Sequence, residues 1–219
     1  MCFSAEASFV ASSALCVAGV VAIKKNQTPS HILLAGIPLF FSLQQFTEGF
    51  VWLTLTNPDY ATLQKIPVHV FLIFALVVWP VLVPLSVMLI EKNEKRKKTL
   101  KILFCFGAIF SFYMTYCLLF RDVTAKIMFL HIRYDVDYPI ILPKFRGIIY
   151  FIPSVIPPFI SSIKKIKIFG GAVLLSFIIT NIYFKENVVS VWCFFAAIIS
   201  VVIILVVWDK NINCHVFTD

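Results

Sequence analysis

Apolar residues run along this chain in long blocks, and the polar stretches between them are short and mostly basic. At least six blocks of about 20 residues carry one charge or none, the length that crosses a hydrocarbon core. Seven helices are expected, at about 7–23, 32–56, 68–90, 100–120, 147–163, 168–184 and 188–208. The fifth is short and rich in proline. Pro153, Pro157 and Pro158 would break a soluble helix, whereas neighbouring helices in a membrane bundle re-satisfy the freed carbonyls. Pro80 and Pro84 are expected to bend the third helix. One stretch departs from helical spacing. In IMFLHIRYDVDY, residues 127–138, the positions alternate from His131 onward. His131, Arg133, Asp135 and Asp137 fall on one face, and Ile132, Tyr134, Val136 and Tyr138 on the other. Period two with β-formers on the apolar side predicts a short strand or hairpin lying over the outer end of the bundle. The expected fold is an all-α membrane protein. It is a single seven-transmembrane-helix bundle over 1–219, with a short β-like hairpin between its fourth and fifth helices.

Composition supports that pattern. The chain is 60% hydrophobic and 14% charged, where a soluble domain is nearer half and a quarter. A net charge of +8 would suggest nucleic acid in a soluble protein. Here the basic residues sit in short loops between apolar runs, as membrane topology requires, so the expected partner is the lipid bilayer and not nucleic acid. Twelve Lys and Arg follow the odd-numbered spans, against two on the opposite side once the long 121–146 loop is set aside. That bias predicts the N-terminus outside and the C-terminus in the cytoplasm, with the protein integral to the inner membrane of a cell. The opening MCFSAEASF has no basic leader and carries Glu6 where a secretory signal wants positive charge, so no cleavable signal is expected.

The strongest chemical signal is FFSLQQFTEGFVWL, residues 40–53. At 100° per residue Gln44, Gln45 and Glu48 form one polar stripe, with Trp52 beyond it. An acidic side chain costs about 2.5–3.5 kcal/mol at the centre of a membrane helix, so this stripe must face the bundle interior. It either clamps helices together or floors a site. Glu48 lies past the midpoint of its span, roughly 6 Å toward the outer face. Cys2, Glu6, His131, Asp135 and Asp137 are expected on that same side, so several titratable groups are expected to share one outer-half cavity. Tyr134 and Trp192 are further lining candidates. His131 is the favoured member of its strand, because neutral imidazole is a common ligand and proton carrier. The alternative is a solvated strand face. Cys2 with a free α-amino group follows the logic of terminal-nucleophile enzymes, or else packs beneath the loop. No lipobox precedes it. Cys16, Cys105, Cys117 and Cys193 lie inside apolar spans and read as small hydrophobes. There is no CxxC pair and no metal-ligand spacing, so no metal is assigned, and the cofactor is unknown. Ser190, Cys193, Ala197 and Ser200 share a small-residue face in the last span, with Trp192 off that face near the outer interface.

Three stretches, MCFSAEASF, LQQFTEGFVWL and SVWCFFAAIIS, with VVWPVLVPLS between them, resemble an uncharacterised family of bacterial integral membrane proteins that begin with an MCFS signature. The resemblance implies a seven-helix single domain and assigns no reaction. It also implies that Cys2, Ser4, Glu48, Trp52, Trp79, Pro80, Trp192 and Cys193 belong to family motifs. A microbial-type rhodopsin would need a lysine within the last span, and 188–208 has none. Zinc-dependent seven-helix lipid hydrolases resemble the layout but use several intramembrane histidines, so that relation is an analogy of fold alone. The first functional expectation is a small-molecule or lipid site in the outer half of the bundle around Glu48. The second is an integral membrane hydrolase or acyl transferase using Cys2, or Glu48 with His131. The third is a proton-coupled transporter with Glu48 as carrier.

Overall fold

The computed structural model describes residues 4–26, 28–128, 130–139 and 146–203. Cys2 lies outside the described residues, as do the chain beyond 203 and residues 140–145 of the loop before the fifth expected helix. The described residues are mostly helical, with one two-stranded sheet.

Helix α1 spans Ala5–Lys25. Ser4 caps it, its hydroxyl accepting from the Ala7 N–H at 3.2 Å, with Glu6 in the first turn and Lys24 and Lys25 in the last. Those charges complement the helix dipole at both ends. The second expected helix is broken. α2, Ile32–Ala35, and α3, Ile37–Thr56, meet at Gly36. Pro38 has no N–H to continue the ladder onto Leu34, so the chain turns there before resuming. α1 and α3 are fastened to each other by Ser12 and Ser42. Each hydroxyl donates to the other's carbonyl, at 2.9 and 2.8 Å.

The third helix runs without interruption from α4, Lys65–Leu72, through a π-wound stretch, Ile73–Val78, into α5, Trp79–Ile90. Prolines were expected to bend this helix; the wider winding is the form the distortion takes. At π spacing the Ala75 carbonyl faces position 80, where proline has no N–H. The Tyr150 hydroxyl donates to that carbonyl instead at 2.8 Å, and Ser111 donates to the Val77 carbonyl at 2.7 Å. Neighbouring side chains thus serve the backbone groups that the winding frees. α6, Glu94–Phe120, packs against α5 so closely at Gly107 that any side chain there would run into the Pro80 carbonyl.

The strand prediction holds for β2, His131–Val136, which pairs antiparallel with β1, Val123–Met128, from Val123↔Val136 to Met128↔His131. Ile132 is buried, and Tyr134 stacks on Phe71 with ring centroids 4.6 Å apart. On the other face Arg133 donates to Asp135 at 2.8 Å and to Glu186 at 2.6 Å. His131 is the exception on the polar face. It is buried edge-on against Phe184, at 5.0 Å.

The fifth expected helix forms as a pair of shorter ones, α7, Arg146–Val155, and α8, Pro157–Ile160. Together they rise only about 20 Å. α9, Lys164–Tyr183, begins a turn earlier than expected, and α10 covers Val188–Ser200. Among the described residues four helices are long and apolar enough to cross a membrane: Ala5–Lys25, Lys65–Ile90, Glu94–Phe120 and Lys164–Tyr183. α3 has 20 residues, but its Gln and Glu positions dilute its apolar character. α7–α8 and α10 are shorter apolar helices.

Two apolar clusters fill the bundle. One surrounds Phe41, Trp79, Val173 and Ala197, and the other surrounds Val51, Phe71, Leu72 and Ile132 beneath the hairpin. At the end remote from the hairpin, Glu91 follows α5 and is 3% exposed. Its carboxylate accepts from the Ser162 N–H and hydroxyl, each at 2.6 Å, and from the Asn93 N–H at 3.0 Å. Arg96 donates to the carbonyls of Ile160 and Ser161, at 3.1 and 3.0 Å. This clasp pins the broken α7–α8 segment to the α5–α6 turn. Burial alone would raise the Glu91 pKa. The Ser162 hydroxyl, the two backbone N–H groups and the Arg96 charge outweigh it and hold the carboxyl below its ordinary value.

Candidate functional site

The polar stripe of α3 lies between the two apolar clusters. Gln44, Gln45 and Glu48 are all fully buried. Gln44 Oε1 accepts from the Trp79 indole N–H at 2.7 Å, which joins α3 to α5. Glu48 Oε1 accepts from the Ser190 hydroxyl at 2.5 Å, which joins α3 to α10. Cys193, one turn along α10 from Ser190, stands beside both Gln44 and Glu48. Gln45 turns toward α1. Neither of its amide atoms has a partner among the described residues, nor has the buried Ser8 hydroxyl. The antiparallel Ser12–Ser42 pairing puts Ser8 and Gln45 one turn further toward the hairpin on facing sides of α1 and α3. Trp52 ends the stripe, buried, and its indole N–H has no partner among the described residues.

Two cavities adjoin this layer. One of about 290 Å³ lies on the hairpin side, and its lining includes Phe110, Tyr134, Tyr150, Phe177, Asn181 and Trp192. One of about 40 Å³ lies toward the lysine-rich end, with Phe41, Trp79 and Phe169 among its walls. Tyr150, Trp192 and Cys193 line both and so form the partition between them. Trp192 meets Tyr150 and Phe177 edge to face, at 5.6 and 5.0 Å. Trp192 is 7% exposed, because α9 and α7 pack over it.

The remaining candidates are dispersed. Glu48 stands behind Cys193 and is absent from the described lining of either cavity. His131 borders a separate surface cavity with Phe184, Glu186 and Asn187, and burial holds its pKa below the ordinary value, so the ring is neutral at pH 7. Asp135 faces outward, paired with Arg133 and, at 3.8 Å, with Lys126. Glu6 is exposed at the start of α1. Tyr134 alone of the hairpin candidates reaches the larger cavity. Among the described residues no group of three His, Cys, Asp or Glu side chains is arranged to hold a metal.

Sequence reasoning missed Phe110, Phe177 and Asn181 as lining residues. Asn181 carried a usable signal as a lone amide inside an apolar run. The two phenylalanines carried none among 23.

A model of a family of unknown function, DUF6629, matches residues 1–216. The chain belongs to the DUF6629 family. No curated protein and no solved structure matches it. For this DUF6629 member the arrangement itself is therefore the guide to function. It combines an aromatic cavity, a buried hydrogen-bonded layer behind the cavity wall, and a cysteine in contact with both.

Proposed function

We propose that this is a polytopic inner-membrane protein that binds a membrane-soluble small molecule or lipid in the cavity beneath the hairpin. The observation that carries the reading is the 290 Å³ space itself, close to the roughly 300 Å³ at which ligand pockets begin. It is lined by aromatic rings and backed by a hydrogen-bonded layer. Gln44–Trp79 and Glu48–Ser190 hold α5 and α10 against α3, which keeps the wall at Cys193 and Trp192 rigid. The stripe in this reading is the support of the site and not its floor.

In the same reading the chain crosses the membrane seven times, counting α3, the short α7–α8 segment and α10 with the four longer helices. The lysine-rich end faces the cytoplasm and the hairpin faces outward, following the distribution of Lys and Arg. The MCFS opening and a bacterial origin belong to the same proposal.

The test is extraction of the protein in mild detergent, followed by mass spectrometry of what co-purifies. A Val189→Trp variant, which fills the cavity from its own wall, is the control. A small molecule or lipid retained by the natural chain and lost from the variant supports the reading. Equal retention by both overturns it.

A further inference from the structure

The lysine-rich end, remote from the cavity, carries a second kind of surface. Within 24–31, 91–101 and 164–167 the chain has eleven Lys and Arg, against Glu91 and Glu94. Glu91 is turned inward to Ser162 and Asn93, and Glu94 pairs with Lys97 at 3.7 Å. The bonds from Arg96 to the Ile160 and Ser161 carbonyls set the first turn of α6 beside the turn that leads into α9. One pattern then recurs in the opening turns of both helices: KTLKI, residues 98–102 in α6, and KKIKI, residues 164–168 in α9.

Helical spacing puts each lysine pair above an outward apolar face. At 100° per residue Lys98, Lys101, Ile102, Ile109 and Phe112 fall within an arc of about 100°. All five are exposed, Ile109 at 72% and Phe112 at 80%. In α9 the same arc holds Lys164, Lys167, Ile168, Leu175 and Ile178, of which only Lys167 is half-buried. Both helices are long and apolar enough to cross a membrane. From Ile102 to Phe112, and from Ile168 to Ile178, the rise is about 15 Å, half of the roughly 30 Å hydrocarbon core. Each helix therefore presents two ammonium groups over an apolar face one leaflet deep. Orientation in the membrane asks only for basic residues in the flanking loop. It does not ask that two of them lie within the helix, directly above the lipid-facing side.

We propose that each pair, Lys98 with Lys101 and Lys164 with Lys167, holds the phosphate of an anionic phospholipid whose acyl chains lie along the face below it. Charge selects this occupant. A zwitterionic headgroup brings its own ammonium toward the lysines, and an anionic headgroup brings none. Long lysine stems keep their apolar part against the helix and their charge at headgroup level. This site is separate from the cavity and does not depend on the reading of it.

The test is native mass spectrometry of the full-length protein in detergent, titrated with phosphatidylglycerol and with phosphatidylcholine of the same acyl chains. Two phosphatidylglycerol molecules are expected to bind about tenfold more tightly than phosphatidylcholine. Lys98→Gln/Lys101→Gln and Lys164→Gln/Lys167→Gln should each remove one of the two, while the matching Lys→Arg variants keep both. All four positions are on the surface, so the fold is expected to survive. Lys65→Gln/Lys126→Gln, at the hairpin end, should change nothing. Equal binding of phosphatidylcholine, or an equal loss in the hairpin-end variant, overturns the proposal. Each lysine pair stands or falls with its own Gln variant. A short RNA oligonucleotide that binds as tightly as phosphatidylglycerol overturns the choice of a lipid. Val189→Trp should leave phosphatidylglycerol bound; its loss there would place the lipid in the cavity and overturn the assignment to the lysines. Failure of the lysine variants to act leaves the cavity reading untouched, so the two failures are distinguishable.

Discussion

Glu48 and Glu91 are both buried acidic side chains, and their surroundings differ in kind. Glu91 lies just past the end of α5, where backbone N–H groups are free to donate. It collects two of them and a hydroxyl. Glu48 lies in mid-helix, where the backbone donors are already used within the helix. Its hydrogen-bond donor, the Ser190 hydroxyl, comes from another element 142 residues away. A carboxylate at a helix end can collect free backbone donors, here one from its own turn and one, with a hydroxyl, from Ser162 71 residues away. A carboxylate in mid-helix depends on which helix packs against it, and so reports tertiary arrangement. The first reads as architecture, and the second supports the wall of a cavity.

That contrast can be broken by mutation, with the largest effect expected at Glu91. Glu91→Ala removes three charge-assisted hydrogen bonds at once and frees the α7–α8 segment. A loss of about 3 kcal/mol is expected in denaturant unfolding in detergent, with Glu91→Gln in between. A loss no larger than that of an exposed Glu94→Ala would show that the clasp does not hold the end of the bundle.

Ser190→Ala is expected to cost less, about 1–2 kcal/mol, but to reduce retention of the ligand proposed for the cavity, which Glu91→Gln leaves unchanged. Equal effects of the two variants on retention would erase the distinction between support and architecture.

Acid sharpens the comparison further. The Glu91 carboxyl is held below its ordinary value of 4.5 in the fold. Its contribution to stability is therefore fully present above about pH 4.5 and is lost as pH falls through the lower folded value. The stability difference between the natural chain and Glu91→Gln should shrink across that window and stay constant above it. His131 has the opposite ionisation and a milder effect. Its folded pKa lies below the ordinary 6.5, so the fold holds the neutral ring. Stability is unaffected above about pH 6.5 and declines as pH drops below it. His131→Gln should flatten that decline, read by hydrogen exchange in the hairpin.

Much of the architecture was legible along the chain. Runs of apolar residues located the helices within about two turns, the largest difference being α6, which starts at Glu94 and not at 100, and the alternation beginning at His131 located β2. The first strand was not read, although Val123 to Ile127 alternates apolar and polar positions; the run is only five residues long and directly follows the apolar span of α6. The breaks at Gly36 and Ile156 were signalled by nearby prolines, yet the π winding over Ile73–Val78 was not, since it depends on Tyr150 and Ser111 serving its carbonyls. Of the candidate site, the burial of Gln44, Gln45 and Glu48 was readable from charge in an apolar run. Their partners were not, because Trp79 and Ser190 lie in other helices. The expectation that His131, Asp135 and Glu6 would gather with Glu48 rested on depth alone, and depth does not specify which side of a bundle a residue faces.

Local sequence therefore determined the apolar spans, their caps, the lysine-rich end and the polar stripe. These follow from spacing and side-chain chemistry within a few turns of one helix. Tertiary structure decided that Ser190 meets Glu48, that Trp79 meets Gln44, and that Trp192 and Tyr150 stand between the larger cavity and the smaller one. Those outcomes depend on how separate helices rotate and pack against one another, and that rotation is set by the shapes of all the contacting side chains together.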